Sequence, residues 1–277
     1  MVIALASPIR PSRSYRVSRK KAQTKMLVIQ AIGQGFRGVD TACQPKHYRE
    51  DLVGEGLAEA YEKHGLKRDD IFIQTKYTPI GGHDTSQPIP YDPSAPVATQ
   101  IRTSFSRSLQ NLRTSWIDSY LLHSPLNTPA QTKEAWSTLC DLRKEGVVKM
   151  IGVSNTYDVE TLMMLQVVGK VDVVQNRWYE GNAWDQNVHG YCQKEGIHYE
   201  SFWTLTGSPS LLRNPLIMNI AKAQKCTTAQ IVYKLAQSIG IIPLAGSTNE
   251  EHMKDGVEAE RVDLEEHLGE LKALTGN

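Results

Sequence analysis

Short apolar runs alternate along the chain with longer segments in which apolar residues recur every three to four positions. The short runs predict buried β-strands, and the longer segments predict amphipathic helices. The predicted strands are residues 36–40, 71–76, 117–122, 150–153, 171–175, 198–202 and 239–243. The predicted helices are residues 19–34, 51–64, 97–112, 129–145, 158–168, 185–195, 216–223 and 228–238. A strand followed by a helix, repeated along a chain, is typical of a parallel sheet.

The number of predicted strands indicates the architecture. Seven strands, each followed by a helix, are one short of a closed (β/α)8 barrel, a fold that typically needs about 250 residues. The missing first strand is expected in the N-terminal segment, at residues 2–6 or near residues 15–17. We therefore predict the α/β class and a single (β/α)8 TIM-barrel domain over residues 1–277, with residues 1–18 as an atypical N-terminal segment.

Residues 79–96, PIGGHDTSQPIPYDPSAP, are too rich in proline and glycine for a regular helix or strand. They predict a long loop after the strand at 71–76. Because the loops that follow the strands of a parallel barrel form its active-site face, we interpret this segment as an active-site loop that shapes a pocket. A surface insertion without a functional role is the alternative.

Reactive side chains fall at the ends of successive predicted strands. Asp40 ends one strand, Lys76 ends the next in IFIQTKY, and His123 follows the next in YLLHSP. Tyr48 lies in the loop after Asp40. Taken singly, such a histidine or lysine is more often structural or solvated, but burial of these strands would bring all of these groups to the same rim.

The chemistry of this set follows from electrostatics. A tyrosine phenol is a poor acid at neutral pH unless a nearby cation stabilises the phenolate, and Lys76 could supply that cation. A carboxylate at Asp40 would hold the lysine charged, and His123 could orient or polarise a substrate carbonyl. The set suits delivery of a proton to a carbonyl oxygen.

The composition limits the classes of partner that the protein is expected to bind. The 31 basic and 30 acidic side chains nearly cancel, so no overall field favours nucleic acid or an anionic membrane, and a small-molecule substrate is expected. The four cysteines form no C-x-x-C pair, which argues against a zinc ribbon or a disulfide scaffold, and no metal site is predicted. No apolar run is long enough to span a membrane. A monomer is favoured, although the sequence does not fix the oligomeric state.

The first 25 residues carry several arginines, lysines and serines but no acid. A solvated basic edge before the first helix is the favoured interpretation, and an organellar transit peptide is the minor alternative. The predicted location is the cytoplasm, with an organelle as the second possibility.

Six motifs in order along the chain make it similar to the aldo-keto reductase family: GVDTA with the following Y and VGEGL, then IFIQTKY, LLHSP, IGVSN, VVQNRWY and IIPLAGSTNEEH. The resemblance implies a (β/α)8 barrel and hydride transfer from a nicotinamide cofactor to a ketone or aldehyde. It assigns Asp40, Tyr48, Lys76 and His123 as the catalytic tetrad, with Tyr48 as the general acid. The implied cofactor is NADP(H), with NAD(H) as the second candidate.

The resemblance also implies a cofactor site. Ser154, Asn155 and Gln175 match positions that hold the nicotinamide carboxamide, and Phe202 falls where an aromatic ring stacks on the nicotinamide. The other implied cofactor-binding residues are Trp203, Leu205, Gly246, Ser247, Thr248, Asn249 and His252.

Two departures from the family pattern concern the reaction centre. Arg16 and Val17 stand where the first strand usually carries glycine and threonine, so either substrate access is altered or the N-terminus follows a different path. The spacer CQPKH lengthens the approach from Asp40 to Tyr48. We expect this loop to bulge and return Tyr48 to the site; the alternative is a displaced phenol, with His47 beside it.

A third departure concerns the cofactor. The family often clamps the 2′-phosphate of NADPH with a lysine and an arginine, and the matching positions here are Gly246 and His252. Backbone N–H groups at the following helix start can still bind a phosphate. We therefore expect NADP(H) to be used with less than about a hundredfold preference over NAD(H), a difference of roughly 2.7 kcal/mol.

The pocket and the reaction class each leave alternatives. The chain ends soon after EEHLGELKALTGN, so we expect an open pocket that takes a bulky or hydrophobic carbonyl. Trp178, Trp184 and Trp203 either form a wall of this pocket or pack between the barrel and the helices.

One rival function keeps the fold for a non-redox step, as an isomerase, a cyclase or a cofactor-binding subunit. A second rival makes Lys76 a Schiff-base lysine of an aldolase-type barrel, which leaves Ser154, Asn155 and Gln175 without a role.

Overall fold

The computed structural model describes residues 5–7, 10–11, 14–16 and 21–276 of the chain. Two short strands, β1 (Leu5–Ser7) and β2 (Arg10–Pro11), form a separate antiparallel pair. Eight further strands are all parallel and close into a barrel in chain order, with the last strand paired to the first. They are β3 (Ser14–Arg16), β4 (Gly38–Asp40), β5 (Phe72–Tyr77), β6 (Ile117–Leu122), β7 (Val148–Ser154), β8 (Val173–Arg177), β9 (His198–Phe202) and β10 (Ile241–Ala245).

The described helices surround this barrel. The longer ones are α1 (Thr24–Gly33), α2 (Glu50–His64), α3 (Val97–Leu112), α4 (Pro129–Lys144), α5 (Val159–Gln166), α6 (Gln186–Glu195), α8 (Pro215–Ala223), α9 (Thr228–Ser238) and α10 (Glu250–Glu258). The short helices are α7 (Pro209–Leu212) and α11 (Leu268–Ala273). The predicted (β/α)8 TIM-barrel fold is thus confirmed. Across the described segments, no helix combines the length and the apolar character needed to cross a membrane.

The first barrel strand lies at the second of the two expected places. Ser14–Arg16 inserts between β10 and β4, and the Cα atoms of Arg16 and Asp40 are register partners. Residues 5–7 pair with β2 instead, so the expectation of a barrel strand at 2–6 is wrong where it can be compared. Val17 lies outside the described residues.

All but one of the predicted element boundaries agree with the structure to within two residues. The helix expected from residue 19 begins as an α-helix only at Thr24, after a 3-10 turn over Lys21–Gln23. The strand expected at 150–153 begins earlier, because Val148 pairs with Ile117 and extends the ladder. Helices α7 and α11 were not predicted, since each is short, whereas the helix start expected after IIPLAGS is that of α10.

The barrel interior is polar in the layer below its C-terminal rim. Because side chains alternate along a strand, Val39, Ile73 and Val174 face the helices and join the main apolar core. Their neighbours Asp40, Gln74 and Gln175 face inward, where they hydrogen-bond to one another. The fold therefore brings polar groups from distant parts of the sequence into one buried layer.

Helix α2, which follows the loop that carries Tyr48, lies unusually close to the end of α3. A Cβ atom added at Gly54 would be 2.0 Å from the backbone oxygen of Asn111. In the same contact, Asn111 Nδ2 donates to Glu50 Oε2 over 3.0 Å. The absence of a side chain at Gly54 is what allows these two helices to pack at this distance.

We expect Gly54→Ala to lower the free energy of unfolding by about 1–3 kcal/mol, because the added methyl group forces the two backbones apart. Urea denaturation measures the change. Gly190→Ala in α6 is the matched control, since a Cβ there meets nothing within 4 Å. It should stabilise the protein by roughly 0.5–1 kcal/mol. Equal effects at the two positions would contradict the close approach.

Candidate active site

Lys76 and Asp40 form an ion pair that is fully shielded from solvent, with both side chains 0% exposed. Lys76 Nζ donates to Asp40 Oδ1 and also to the backbone oxygen of Thr41, the latter over 2.9 Å. Burial alone would raise the pKa of Asp40, but the Lys76 ammonium and hydrogen bonds from Lys76, Gln175 and Gln74 hold that pKa below its ordinary value. A charged lysine is thereby fixed at the end of β5.

The loop after β4 brings Tyr48 back to this lysine. Its first residues continue along β5, as Thr41 N donates to Gln74 O and Cys43 N donates to Lys76 O. A turn then forms in which Tyr48 N donates to Gln44 O over 3.0 Å. Tyr48 is only 3% exposed, and the centroid of its ring lies 6.0 Å from Lys76 Nζ. Of the two paths considered for the CQPKH spacer, the structure adopts the one that returns Tyr48 to the site.

The ring of His123 also lies beside Tyr48. The two ring centroids are 5.9 Å apart with an edge-to-face angle of 69°. His123 Nδ1 lies 2.7 Å from Thr78 Oγ1, so one ring nitrogen is committed to a hydroxyl. This contact orients the ring and points its second nitrogen away from Thr78. All four residues of the predicted tetrad therefore meet at one rim.

The long loop over 79–96 is fastened to Thr78, the residue that holds His123. Tyr91 Oη and His83 Nε2 lie 2.7 and 3.0 Å from the backbone oxygen of Thr78. Gln44 Nε2 donates to Gly82 O over 2.8 Å, which also ties this loop to the Tyr48 loop. Residues Pro88, Ile89 and Pro90 line a cavity of about 270 Å³ together with Tyr48. The loop therefore lies against two residues of the predicted tetrad, Tyr48 and His123.

Ser154 and Asn155 end β7 beside Gln175 of β8. Ser154 Oγ donates to Gln175 O over 2.8 Å, and Asn155 N donates to the same oxygen over 3.1 Å. Asn155 has a left-handed backbone, with φ of 51°, and its Nδ2 donates to His123 O over 2.8 Å. Strain of this kind tends to occur where a side chain must be placed for function. The three implied nicotinamide-holding residues thus form one group next to His123.

Two polar residues of this buried layer, Gln74 and Glu200, were not identified from the sequence. Gln74 Nε2 and Gln175 Nε2 both donate to Asp40 Oδ1 over 3.0 Å, and the same two nitrogens donate to Glu200 Oε2 over 2.5 and 2.9 Å. Glu200 is 2% exposed. Both could have been identified, because each is a polar residue in the middle of an apolar strand, in IFIQTKY and HYESF. Each also occupies one of the alternate positions whose side chains face the barrel interior.

Phe202 and Trp203 lie at the end of β9. Phe202 is buried, whereas Trp203 is 45% exposed and packs edge to face against Tyr179 at 5.3 Å. The other two tryptophans considered as pocket walls, Trp178 and Trp184, are buried against each other at 4.7 Å. They pack inside the protein, so Trp203 is the one of the three that is available to a ligand.

A second cavity, of about 250 Å³, lies beside the end of β10. Four implied cofactor residues line it: Leu205, Gly246, Ser247 and His252. Its apolar lining includes Phe36, Tyr233 and Met253, and Asp255 is its acidic residue. Apolar walls with a few polar groups on one side suit a flat base that carries a ribose or a phosphate.

Thr248 and Asn249 are exposed and lie beyond the lining of this cavity. Asn249 is the N-cap of α10, where its Oδ1 accepts from Glu251 N over 2.7 Å. The structure therefore gives the Asn249 side chain a capping role, while the helix start that it stabilises borders the cavity.

A buried carboxylate supports the Ser154–Asn155 turn from below. Asn176 Nδ2 donates to Thr156 O and to Asp185 Oδ2, while Thr156 N donates to Asn176 Oδ1. Asp185 Oδ2 also accepts from Tyr199 Oη over 2.8 Å. It follows Ala183 and Trp184 in a run of three left-handed residues. Burial raises the pKa of Asp185 to about 6, against the opposing effect of its two hydrogen bonds.

Comparisons with known proteins place this geometry in a family. A model of the aldo/keto reductase family matches residues 12–272. The chain is 30% identical to the uncharacterized oxidoreductase YtbE of Bacillus subtilis (strain 168), over 89% of this chain and 82% of that protein. It is 26% identical to a glyoxal reductase of the same organism, over 88% and 80% of the two chains. An aldo-keto reductase of Bombyx mori in complex with NADP shares the fold, with a TM-score of 0.79 and 22% identity over 95% of this chain and 89% of that one.

The chain therefore belongs to the aldo-keto reductase family. It is an oxidoreductase of the class that uses NAD(P)H, so the predictions of enzyme class and of a nicotinamide cofactor are confirmed at that level. The residues present fit such a cofactor, because amide and hydroxyl groups adjoin His123 and a largely apolar cavity lies beside the start of α10. The roles of individual residues stay predictions.

The raised pKa of Asp185 predicts a pH-dependent stability. Because the folded state binds this proton more tightly than the unfolded chain, whose pKa is near 3.8, the group costs nothing below pH 4 and about 3 kcal/mol above pH 6. Asp185→Asn keeps the acceptor oxygen and removes the ionisation. Its free energy of unfolding in urea should therefore rise relative to the parent protein between pH 4 and pH 7. A difference that does not change with pH would contradict this.

The cavity beside the end of β10 predicts a weak preference between NADPH and NADH. Among the residues that the structure describes, its lining includes Asp255 but neither lysine nor arginine. Fluorescence titration should give Kd values for NADPH and NADH within about a hundredfold of each other. His252→Arg should tighten NADPH binding by roughly tenfold and leave NADH unchanged, because it adds a phosphate-binding fork. His64→Arg, at the exposed end of α2, is the control. Selectivity above a hundredfold in the parent protein would contradict the prediction.

Proposed function

We propose that the protein reduces a ketone or an aldehyde to an alcohol, using NADP(H) in preference to NAD(H) and Tyr48 as the proton donor. The observation that carries this proposal is the meeting of Tyr48, His123 and the buried Lys76–Asp40 pair at one rim. A phenol, an imidazole and a buried cation within about 6 Å form a set suited to protonating a carbonyl oxygen.

The proposed roles follow from the contacts. When bound, the reduced nicotinamide supplies a hydride to the carbonyl carbon. Tyr48 Oη gives its proton to the carbonyl oxygen, so that the C=O π bond is replaced by new C–H and O–H bonds. The Lys76 ammonium stabilises the phenolate that remains, and Asp40 holds that ammonium in place. His123, with Nδ1 held by Thr78, orients the carbonyl through its other nitrogen.

Ser154, Asn155 and Gln175 are the residues that we assign to the nicotinamide carboxamide. They lie next to His123 through the Asn155 Nδ2 contact, so a ring held there would adjoin the proton donor. We assign the base and ribose end of the cofactor to the cavity lined by Leu205, Gly246 and Ser247. This arrangement spans the mouth of the barrel, where ligands of such barrels bind.

The exposed Trp203 and the proline-rich loop favour a bulky or hydrophobic substrate. Trp203 and Tyr179 offer an aromatic surface at the rim, and Pro88, Ile89 and Pro90 add an apolar edge near Tyr48. The name of the glyoxal reductase relative shows that a small dicarbonyl is also within reach of a similar chain. We therefore expect aromatic aldehydes to be reduced with lower KM values than glyoxal.

The Schiff-base alternative is disfavoured by the state of Lys76. Its ammonium is bound by the Asp40 carboxylate and by the Thr41 backbone oxygen in a dry environment. A Schiff-base lysine must bring its amine to the substrate carbonyl, whereas Lys76 is fully buried and held by two acceptors. The ion pair instead suits a lysine that acts through its charge.

The test is Tyr48→Phe, measured with NADPH and a panel of aromatic aldehydes and bulky ketones. Loss of the proton donor should lower kcat by about a hundredfold or more while the Kd for NADPH stays within twofold. Tyr61→Phe is the control, because the Tyr61 hydroxyl has no hydrogen-bond partner among the described residues. Turnover that survives in Tyr48→Phe would refute the assigned acid. Cofactor binding without turnover of any carbonyl by the parent protein would favour a non-redox role.

A further inference from the structure

Arg177 stands at the mouth of the barrel, above the predicted reaction centre. It is the last residue of β8, two positions beyond Gln175, whose side chain reaches Asp40 inside the barrel. Side chains two positions apart lie on the same face of a strand, about 7 Å further along. Arg177 therefore rises from the inward face, one layer above the Asp40–Lys76 pair, although the sequence motif VVQNRWY gave it no role.

The guanidinium of Arg177 lies over two aromatic rings. Its Cζ is 5.5 Å from the ring centroid of Phe202 and 5.3 Å from that of Trp203. Phe202 is the residue assigned to the nicotinamide ring, and Trp203 is the exposed aromatic of the rim. A guanidinium stacked in this way keeps its edge N–H donors available for a ligand.

The backbone of Arg177 is fixed on both sides. Its N–H donates to Tyr157 Oη over 3.1 Å, and its carbonyl oxygen accepts from Asn182 Nδ2 over 2.8 Å. The side chain itself is exposed. The cation is therefore presented to solvent from a rigid point of attachment, which lowers the entropy lost when it binds a ligand.

Several other arginines of the protein pair with carboxylates. Arg68 pairs with Asp118 at 2.8 Å, Arg143 with Asp172 at 2.7 Å, and Arg102 with Glu145 at 2.6 Å. Over the described part of the chain, Arg177 forms no ion pair with a carboxylate within 4.0 Å. Its charge at the mouth of the barrel is thus not neutralised by such a partner.

We propose that Arg177 binds an anionic group at the mouth of the barrel, either a carboxylate on the carbonyl substrate or the diphosphate of the cofactor. This inference rests on the proposed function for the identity of the site. Both groups present paired oxygens that match the bidentate geometry of a guanidinium. The stacked aromatic rings would pack against the apolar part of the same ligand.

Two substrates of similar shape but different charge show whether the anionic group belongs to the substrate or to the cofactor. They are 4-carboxybenzaldehyde and its methyl ester, methyl 4-formylbenzoate. If the source is the substrate, Arg177→Gln should raise the KM for the acid at least about tenfold, leaving kcat and the KM for the ester within twofold. If the source is the cofactor, the variant should instead weaken NADPH binding by a similar factor and affect both substrates alike. Arg102→Gln, on the outside of α3, is the charge-matched control.

Equilibrium titration keeps this test independent of turnover. Calorimetric binding of 4-carboxybenzaldehyde to the NADP⁺-loaded protein, and of NADPH to the free protein, reports on Arg177 even if no carbonyl is reduced. A tenfold loss in either titration supports the inference. If Arg177→Gln changes neither Kd by more than twofold, Arg177 is not an anion site. Binding of both ligands without any reduction would reject the proposed function and leave the Arg177 inference standing.

Discussion

The ion pair between Lys76 and Asp40 is the constraint on which the upper half of the barrel depends. Both charges are removed from water, and either one alone would be strongly unfavourable there. Each therefore requires the other, together with further donors to Asp40 Oδ1, and those donors come from strands β5 and β8. The pair thus links the position of a reactive cation to the correct register of several strands.

The same layer holds a second carboxylate, Glu200, which shares the amide donors of Gln74 and Gln175 with Asp40. Two acidic groups bridged by two amides make a polar floor under the reaction centre, where most barrels place branched apolar side chains. Each amide has a fixed direction, so the floor specifies one arrangement of the side chains above it. Apolar packing between the strands and the surrounding helices provides the stability that this polar floor does not.

The elements whose limits could be predicted from the sequence are those that local residue patterns determine. The strand at 117–122 and the helices at 97–112 and 228–238 were predicted to the residue, because apolar periodicity marks their extent and a threonine cap marks the start of the last. The first barrel strand has three residues, too few for a pattern to show. The run from Ala183 to Asp185 gave no signal, because alanine and tryptophan seldom adopt left-handed backbone angles. Contacts such as those of Glu200 depend on closure of the whole barrel.

The anchoring of the loop over 79–96 has a consequence for how such an enzyme can diverge. Tyr91 and His83 hold the loop to a backbone oxygen, that of Thr78, and not to a particular side chain. The loop residues between these anchors can then be exchanged while Thr78 keeps its hydroxyl against His123. Inherited changes in the proline-rich segment would alter the molecules that are admitted without disturbing the proposed proton transfer, so substrate range and chemistry can evolve separately.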